Sequence, residues 1–280
     1  MKGSAAATFR VLAQIPHAEG VATGPDGTLW AGGEQGELYR IDPETGEWQQ
    51  VAHTNCYLLG LCLDRAGRIY ACAYDKDAVL RIEPTSGEVE TYCAAAGGKP
   101  LRGVNWPVFA ADGTLFVSCS GSEKLADCDG YLVQIPPGGG DGEIVETRHL
   151  HFVNGLALSP AGVLYAIESF SSRVLSICDA EIEVYASLPR TIPDGLALDD
   201  EGGLLVACFQ PNQVVRIPPG GGDLEVLVDD WTGQELMTPT NMAFYGPELR
   251  SVAIASLCGW WVSAIDVPWR GQPLLYPELP

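Results

Sequence analysis

Five oxygen-bearing side chains recur at one register along this chain, and they are its best candidates for chemistry. In IPDGLALDDEG, Asp194 stands eight residues before Gly202. AEGVATGPDG sets Glu19 eight before Gly27, VNWPVFAADG sets Asn105 eight before Gly113, and FVNGLALSPAG sets Asn154 eight before Gly162. YLLGLCLDRAG puts the apolar Leu59 eight before Gly67, and PTNMAFYGPEL puts Asn241 eight before Leu249, with the turn glycine lost. The position reads Glu, Leu, Asn, Asn, Asp, Asn, each time at the head of an apolar strand. Two carboxylates gathered in a partly buried place repel each other and lose solvation, and a divalent cation resolves both problems. The donors are all oxygen, which favours Ca²⁺ and leaves Mg²⁺, Mn²⁺ or Zn²⁺ open. A single Asn or Asp there would more often cap a strand end. Two carboxylates and three amides in one register favour the cation. Asn241 is the weakest member, because its copy of the repeat is degraded.

Something must bring six such positions together. The turn glycines Gly27, Gly67, Gly113, Gly162 and Gly202 are 40, 46, 49 and 40 residues apart. A period near 45 with several short strands per unit is the mark of a β-propeller blade. Each unit reads as an apolar strand, a tight hairpin, and a second strand of small residues at 29–33, 69–73, 115–119, 164–168 and 204–208. A third strand runs to an acidic or Pro-Pro turn, and a more polar fourth strand follows. The expected fold is all-β: one six-bladed propeller over residues 1–280 with four-stranded blades. Residues 9–15 supply the missing strand of the last blade, since closure removes the open edges of a ring. The C-terminal segment then packs outside. The glycine-rich runs at 137–141 and 219–223 read as turns between third and fourth strands. First strands line the channel of a propeller, so the six positions converge on its axis.

Second strands return to the same end of the channel. The loops after them, at Tyr74-Asp75-Lys76, residues 120–130, Phe170-Ser171, Phe209-Gln210 and Trp260-Trp261, are expected to form the rim, and the long third one suits a lid. His17 and His151 lie just upstream of Glu19 and Asn154, where a lone His is more often incidental than a general base. There is no Ser nucleophile elbow and no phosphate-binding glycine loop.

The composition narrows the partners. A net charge of −20 over 280 residues argues against nucleic acid. No apolar run is long enough for a membrane span, and MKGSAAATF lacks the apolar stretch of a secretory signal. Nine cysteines, an odd number mostly in or beside apolar strands, without a CxxC pair, point to a reducing, cytoplasmic setting. A small-molecule substrate and a monomer or small homo-oligomer are expected.

These stretches resemble the regucalcin/gluconolactonase superfamily of six-bladed propellers over nearly the whole chain. FVNGLALSPAG, IPDGLALDDEG and PTNMAFYGPEL are similar to its fourth, fifth and sixth blade openings. The resemblance implies one axial divalent metal on Glu19, Asn154 and Asp194, with Asn105 contacting metal or substrate. It gives Asp194 the catalytic base or nucleophile role and places a substrate-contacting Glu at Glu123. The sugar-lactone members carry an Arg two residues before the third-blade Asn and an Asp after it. Here Arg102 is three before Asn105 and Trp106 follows. Arg102 and Trp106 are taken with Asn105 and Glu123 as the substrate-binding set. The first blade reads more like strictosidine-synthase-like and paraoxonase-like relatives. The expected activity is metal-dependent hydrolysis of a small lactone or ester. The alternatives are phosphotriester hydrolysis or a non-hydrolytic reaction on the same site, or a binding scaffold with a structural metal.

Overall fold

A computed structural model describes residues 8–179 and 181–280. The described chain is built of strands and turns, with two single-turn 3₁₀ segments at Tyr74–Lys76 and Ser169–Ser171. Four consecutive antiparallel strands form each unit. Unit one is Ala18–Thr23, Leu29–Gly33, Glu37–Ile41 and Trp48–His53; unit two is Leu58–Leu63, Ile69–Ala73, Ala78–Glu83 and Glu88–Cys93. Unit three is Val104–Phe109, Leu115–Cys119, Gly130–Ile135 and Glu143–Leu150; unit four is Val153–Leu158, Leu164–Glu168, Arg173–Cys178 and Glu181–Ser187. Unit five is Ile192–Leu198, Leu204–Gln210, Gln213–Ile217 and Glu225–Asp229. The last strands in sequence are Pro239–Tyr245, Ser251–Ser256 and Val262–Asp266, and Arg10–Ala13 from the other end of the chain pairs with Val262–Asp266.

Units two to five are separate four-stranded sheets, but the expected six separate sheets are not seen. Unit one and the four strands at the chain ends form one eight-stranded sheet. The junction is a single residue pair, Ala18 with Ser256. At their heads these two units approach closely enough for one ladder rung. A small hairpin, Ala95–Ala96 with Lys99–Pro100, adds a two-stranded sheet.

The hairpins turn where the chain can take a left-handed backbone. Gly27, Gly67, Gly113, Gly162 and Gly202 all have φ between 83° and 89°, which glycine adopts without steric cost. Leu249 holds the same place in the last hairpin at φ 49°, so that turn carries strain where the glycine is lost. Both glycine-rich runs lie between the third and fourth strands of their units.

Apolar side chains fill the spaces between sheets. Tyr70, fully buried, meets Tyr92 and Phe109 edge-on at 4.8 and 4.9 Å and joins units two and three. The first strands surround a common axis. Toward their hairpin ends they enclose an apolar chamber of about 190 Å³, to which Val21, Leu61, Val108, Leu156, Leu196 and Met242 each contribute from a different first strand. The C-terminal segment bounds this chamber through Gln272–Tyr276 instead of forming a strand. The Gln272 N–H donates to Leu198 O at 2.9 Å, its amide to Leu158 O at 3.1 Å, and the Tyr276 hydroxyl to Thr23 O at 2.9 Å. The segment crosses the channel end, so the expectation that it packs outside is corrected. Apolar ends of six strands would otherwise face water there. Among the described residues no helix is long and apolar enough to cross a membrane.

Candidate functional site

At the opposite end, every first strand carries one extra residue in its ladder with the second. Ala18 pairs with Gly33 and then Gly20 with Gly32; Leu58 pairs with Ala73 and then Leu61 with Ala71. The step recurs from Val104 to Pro107, Val153 to Leu156, Pro193 to Leu196 and Pro239 to Met242. A bulge of this kind unpairs a residue and re-aims its side chain, and bulges favour functional sites. The first residues inside the six bulges are Glu19, Leu59, Asn105, Asn154, Asp194 and Thr240.

The sixth is a correction. Counting back from the turn selects Asn241, but four ladder pairs run from Met242 to that turn, against three from Leu196. The strand is one pair longer, which moves the equivalent position to Thr240. Close approaches between neighbouring strands agree. A Cβ on Gly60 would lie 2.7 Å from Asn105 O, one on Gly155 2.7 Å from Asp194 O, and one on Gly195 2.6 Å from Thr240 O. A Cβ on Gly20 would overlap Leu59 O. Glycine after the bulged residue therefore lets four of the six strands, those with Gly20, Gly60, Gly155 and Gly195, press against the next at this level. Asn241 turns its Oδ1 back to accept its neighbour Met242 N–H at 2.7 Å, which is a capping role. The Thr240 hydroxyl donates to Glu19 O at 2.7 Å and ties the last strand to the first.

Glu19 and Asp194 both sit in this ring, buried. Among the described residues no Lys or Arg perturbs either carboxyl. Glu19 Oε2 is shielded from solvent and has no hydrogen-bond partner among the described residues. Burial pushes the Glu19 carboxyl up to about 8, against the hydroxyls of Tyr57 and Thr240, which favour its charged form, while the nearby Glu34 adds to the rise. Burial also raises Asp194 well above the usual carboxylate range, with the Glu19 charge adding to the effect and the Asn154 amide opposing it. These are the marks of two carboxylates held for a positive partner.

The amides are arranged to match. Asn105 Nδ2 donates to Ser120 Oγ at 3.0 Å, and Ser120 Oγ donates in turn to Val153 O at 2.8 Å. Asn154 Nδ2 donates to Ser169 Oγ at 3.3 Å. Both amide nitrogens are thereby turned to a serine at the end of a second strand, and among the described residues no donor is paired with either Oδ1. Two carboxylates and two amide oxygens thus remain for a hard cation. Among the described residues no three His, Cys, Asp or Glu side chains converge on a metal position, so any ion here would depend on those amides.

The mouth is aromatic and polar. Tyr57, half-buried, lies beside the Glu19 carboxyl, and burial together with Glu19 and Asp194 pushes its phenol upward. The Tyr74 hydroxyl donates to Glu123 Oε1 at 2.6 Å, which places Glu123 in the exposed third-unit loop against the second unit. Arg102 is exposed, with its guanidinium 3.9 Å from Asp129. The Trp106 indole is buried: a Cβ on Gly60 would collide with it, and it packs on Leu132, Leu150 and Val153. It belongs to the channel wall. Both histidines spend a ring nitrogen on a carbonyl, His17 Nδ1 on Leu257 O at 2.8 Å and His151 Nε2 on Leu125 O at 2.6 Å. His17 also meets Trp260 edge-on at 5.1 Å. Tyr57 and Thr240 escaped the sequence reading. Tyr57 precedes its strand, and Thr240 is hidden by the longer last hairpin.

Residues 18–257 match the SMP-30/Gluconolactonase/LRE-like region, and the chain belongs to that family. Regucalcin of Xenopus laevis is 28% identical over 124 residues, a stretch that covers 38% of this chain and 36% of that protein. Among solved structures, a gluconolactonase from Xanthomonas campestris superposes with a TM-score of 0.77 at 20% identity, covering 94% of this chain and 90% of its own. A regucalcin from Agrobacterium tumefaciens, described as a calcium-binding protein, gives 0.78 at 17% identity over 98% of both chains. At these identities the structural likeness establishes the propeller fold.

Proposed function

We propose that this chain is a divalent-cation-dependent hydrolase of small lactones or esters, built as one six-bladed propeller in which the eight-stranded sheet counts as two blades. The observation that carries this reading is the buried Glu19–Asp194 pair, which among the described residues lacks any cationic side chain and leaves one carboxylate oxygen without a partner. Glu19, Asn154 and Asp194 would hold the ion, with Asn105 beside it, and the all-oxygen set favours Ca²⁺. The calcium-binding regucalcin and the gluconolactonase among the structural relatives point the same way. A bound divalent ion supplies polarisation of a carbonyl oxygen and neutralises charge developing on it.

The rest is the work of the chain. Asp194 accepts the proton of the attacking water, and the amide of Asn154 holds its carboxylate in place. Leu59 leaves one apolar side of the ring open for the ring or chain of the substrate. Glu123, positioned by Tyr74, and Arg102 face solvent at the mouth and orient polar groups of the incoming molecule.

Turnover of a panel of lactones and aryl esters, with Ca²⁺ and after chelation, tests this. Hydrolysis should be lost on chelation and restored by Ca²⁺. Turnover that survives chelation would move the chemistry elsewhere. Cation binding without turnover of any substrate would favour a binding scaffold.

A further inference from the structure

The rim of unit four brings a hydroxyl, an imidazole and a carbonyl together. Ser171 closes the single-turn segment Ser169–Ser171, and its Oγ lies 3.3 Å from His151 Nδ1. The other ring nitrogen, Nε2, lies 2.6 Å from Leu125 O in the third-unit loop. A carbonyl only accepts, so Nε2 carries the proton of the neutral ring. Nδ1 then holds a lone pair, and the Ser171 hydroxyl donates to it. A hydroxyl, a base, and a group that fixes the tautomer of the base are the parts of an activated nucleophile.

Both segments that carry the pair are fixed. The His151 N–H donates to Glu168 Oε1 at 2.7 Å, and the buried Glu168 is paired with Arg173. The Ser169 N–H donates to Phe152 O at 3.1 Å, and Ser172 O accepts from Leu188 N–H at 2.7 Å. Ser171 and His151 are each half-buried, so a reagent in solvent can reach them. Phe152 and Phe170 stack at 4.6 Å, and Phe170 meets His151 edge-on at 5.5 Å, which sets an apolar wall beside the hydroxyl. Unit two has a matching segment, Tyr74–Lys76, but there Lys76 Nζ donates to Thr54 O at 3.0 Å. The shared backbone therefore does not by itself produce the serine–histidine pair.

We propose that Ser171 is a nucleophilic serine with His151 as its general base, a rim site separate from Glu19 and Asp194 that takes the acyl group of activated esters with apolar acyl chains. Ser171 Oγ bonds to the carbonyl carbon and passes its proton to His151 Nδ1. The bond to the leaving alcohol breaks, and the alcohol departs with that proton, while Leu125 O keeps the Nε2 proton. The step ends at the acyl-serine, and the turnover proposed above does not pass through it.

An alkyl fluorophosphonate is the probe. Ser171 Oγ bonds to phosphorus, the P–F bond breaks, and fluoride leaves with the proton. The wild type, Ser172→Ala and His151→Gln are labelled in chelator, which takes the axial ion out of the comparison, and the labelled peptides are mapped by mass. Melting in chelator checks folding. The wild type should carry its label on Ser171. Ser172→Ala should label as the wild type does, because the Ser172 hydroxyl is spent on Thr191 O at 2.6 Å. His151→Gln keeps a donor for Leu125 O and loses the base, so its labelling rate should fall about 100-fold or more. A wild type with no label, or with label on other residues, overturns the proposal, and so does a His151→Gln variant that labels at the wild-type rate. If His151→Gln melts well below the wild type, the wild-type map decides alone.

Discussion

The buried carboxylates of the ring are treated unlike the other buried acids beside the first strands. At the hairpin end each buried acid has an arginine. Asp64 accepts from Arg68 Nε at 2.6 Å and from the Tyr70 hydroxyl at 3.0 Å. Asp199 accepts from Arg216 Nε at 2.7 Å and from the Gly203 N–H at 2.7 Å, and the guanidinium lies 4.0 Å over the Trp269 ring. At the bulged end Glu168 too is paired with an arginine, Arg173, but among the described residues Glu19 and Asp194 have only hydroxyls and an amide for company. The same strands and a similar degree of burial therefore serve two purposes. Paired acids lock the hairpins and the C-terminal segment, whose last carbonyls Arg68 also holds. Unpaired acids are a cost to the fold, and that cost makes sense if a cation offsets it.

The contrast can be broken from either end. The largest effect is expected at Asp199→Ala. Arg216 has a side chain only 4% exposed, so the variant strands a buried charge. The loss should be about 3–5 kcal/mol, toward the lower figure because Glu201 and Glu225 remain nearby. Denaturant unfolding measures it. A loss below 1 kcal/mol would erase the distinction between paired and unpaired acids.

A smaller effect follows from pH. Glu19 is raised in the folded state, so the native protein keeps a proton that the unfolded chain has released. Stability of the cation-free protein is then greatest below the ordinary carboxylate range and falls as pH rises to about 8, the folded value for Glu19. The slope for one such group is at most about 1.4 kcal/mol per pH unit. Ca²⁺ favours the ionised pair and should flatten the slope. Melts between pH 5 and pH 8, with chelator and with Ca²⁺, check this. A cation-free protein that grows more stable toward pH 8 would contradict it.

Much of this was legible because hairpins announce themselves. The turn glycines set the register, and the register located Glu19, Asn105, Asn154 and Asp194 without any packing information. It failed at Asn241 because it assumed hairpins of constant length, and the last one carries an extra ladder pair. The Glu-Gly, Leu-Gly, Asn-Gly and Asp-Gly dipeptides at 19, 59, 154 and 194 held a second signal. Each glycine marks the bulge and the close approach of the next strand. Tyr57 could not be found this way, since it lies near Glu19 only across two units, whose proximity in space no spacing encodes. The course of residues 267–280 was hidden for a similar reason. Their contacts combine backbone hydrogen bonds, such as Gln272 N–H to Leu198 O, with side-chain ones, such as Arg68 to the carbonyls of Leu279 and Pro280, and many of the partners lie far away in the sequence.

On the proposed reading, Glu19 and Asp194 are held apart from any arginine because they share a cation. Thermal melting of the wild type and Asp194→Asn, each in Ca²⁺ and in chelator, tests it most directly. An ion at a hundred times its dissociation constant adds about 2.7 kcal/mol, a rise of several degrees. The wild type should show that rise. Asp194→Asn loses one repelling charge, so in chelator it should melt no lower than the wild type, and Ca²⁺ should leave it unchanged. A wild type that carries no other metal and melts at one temperature in both buffers would contradict the claim.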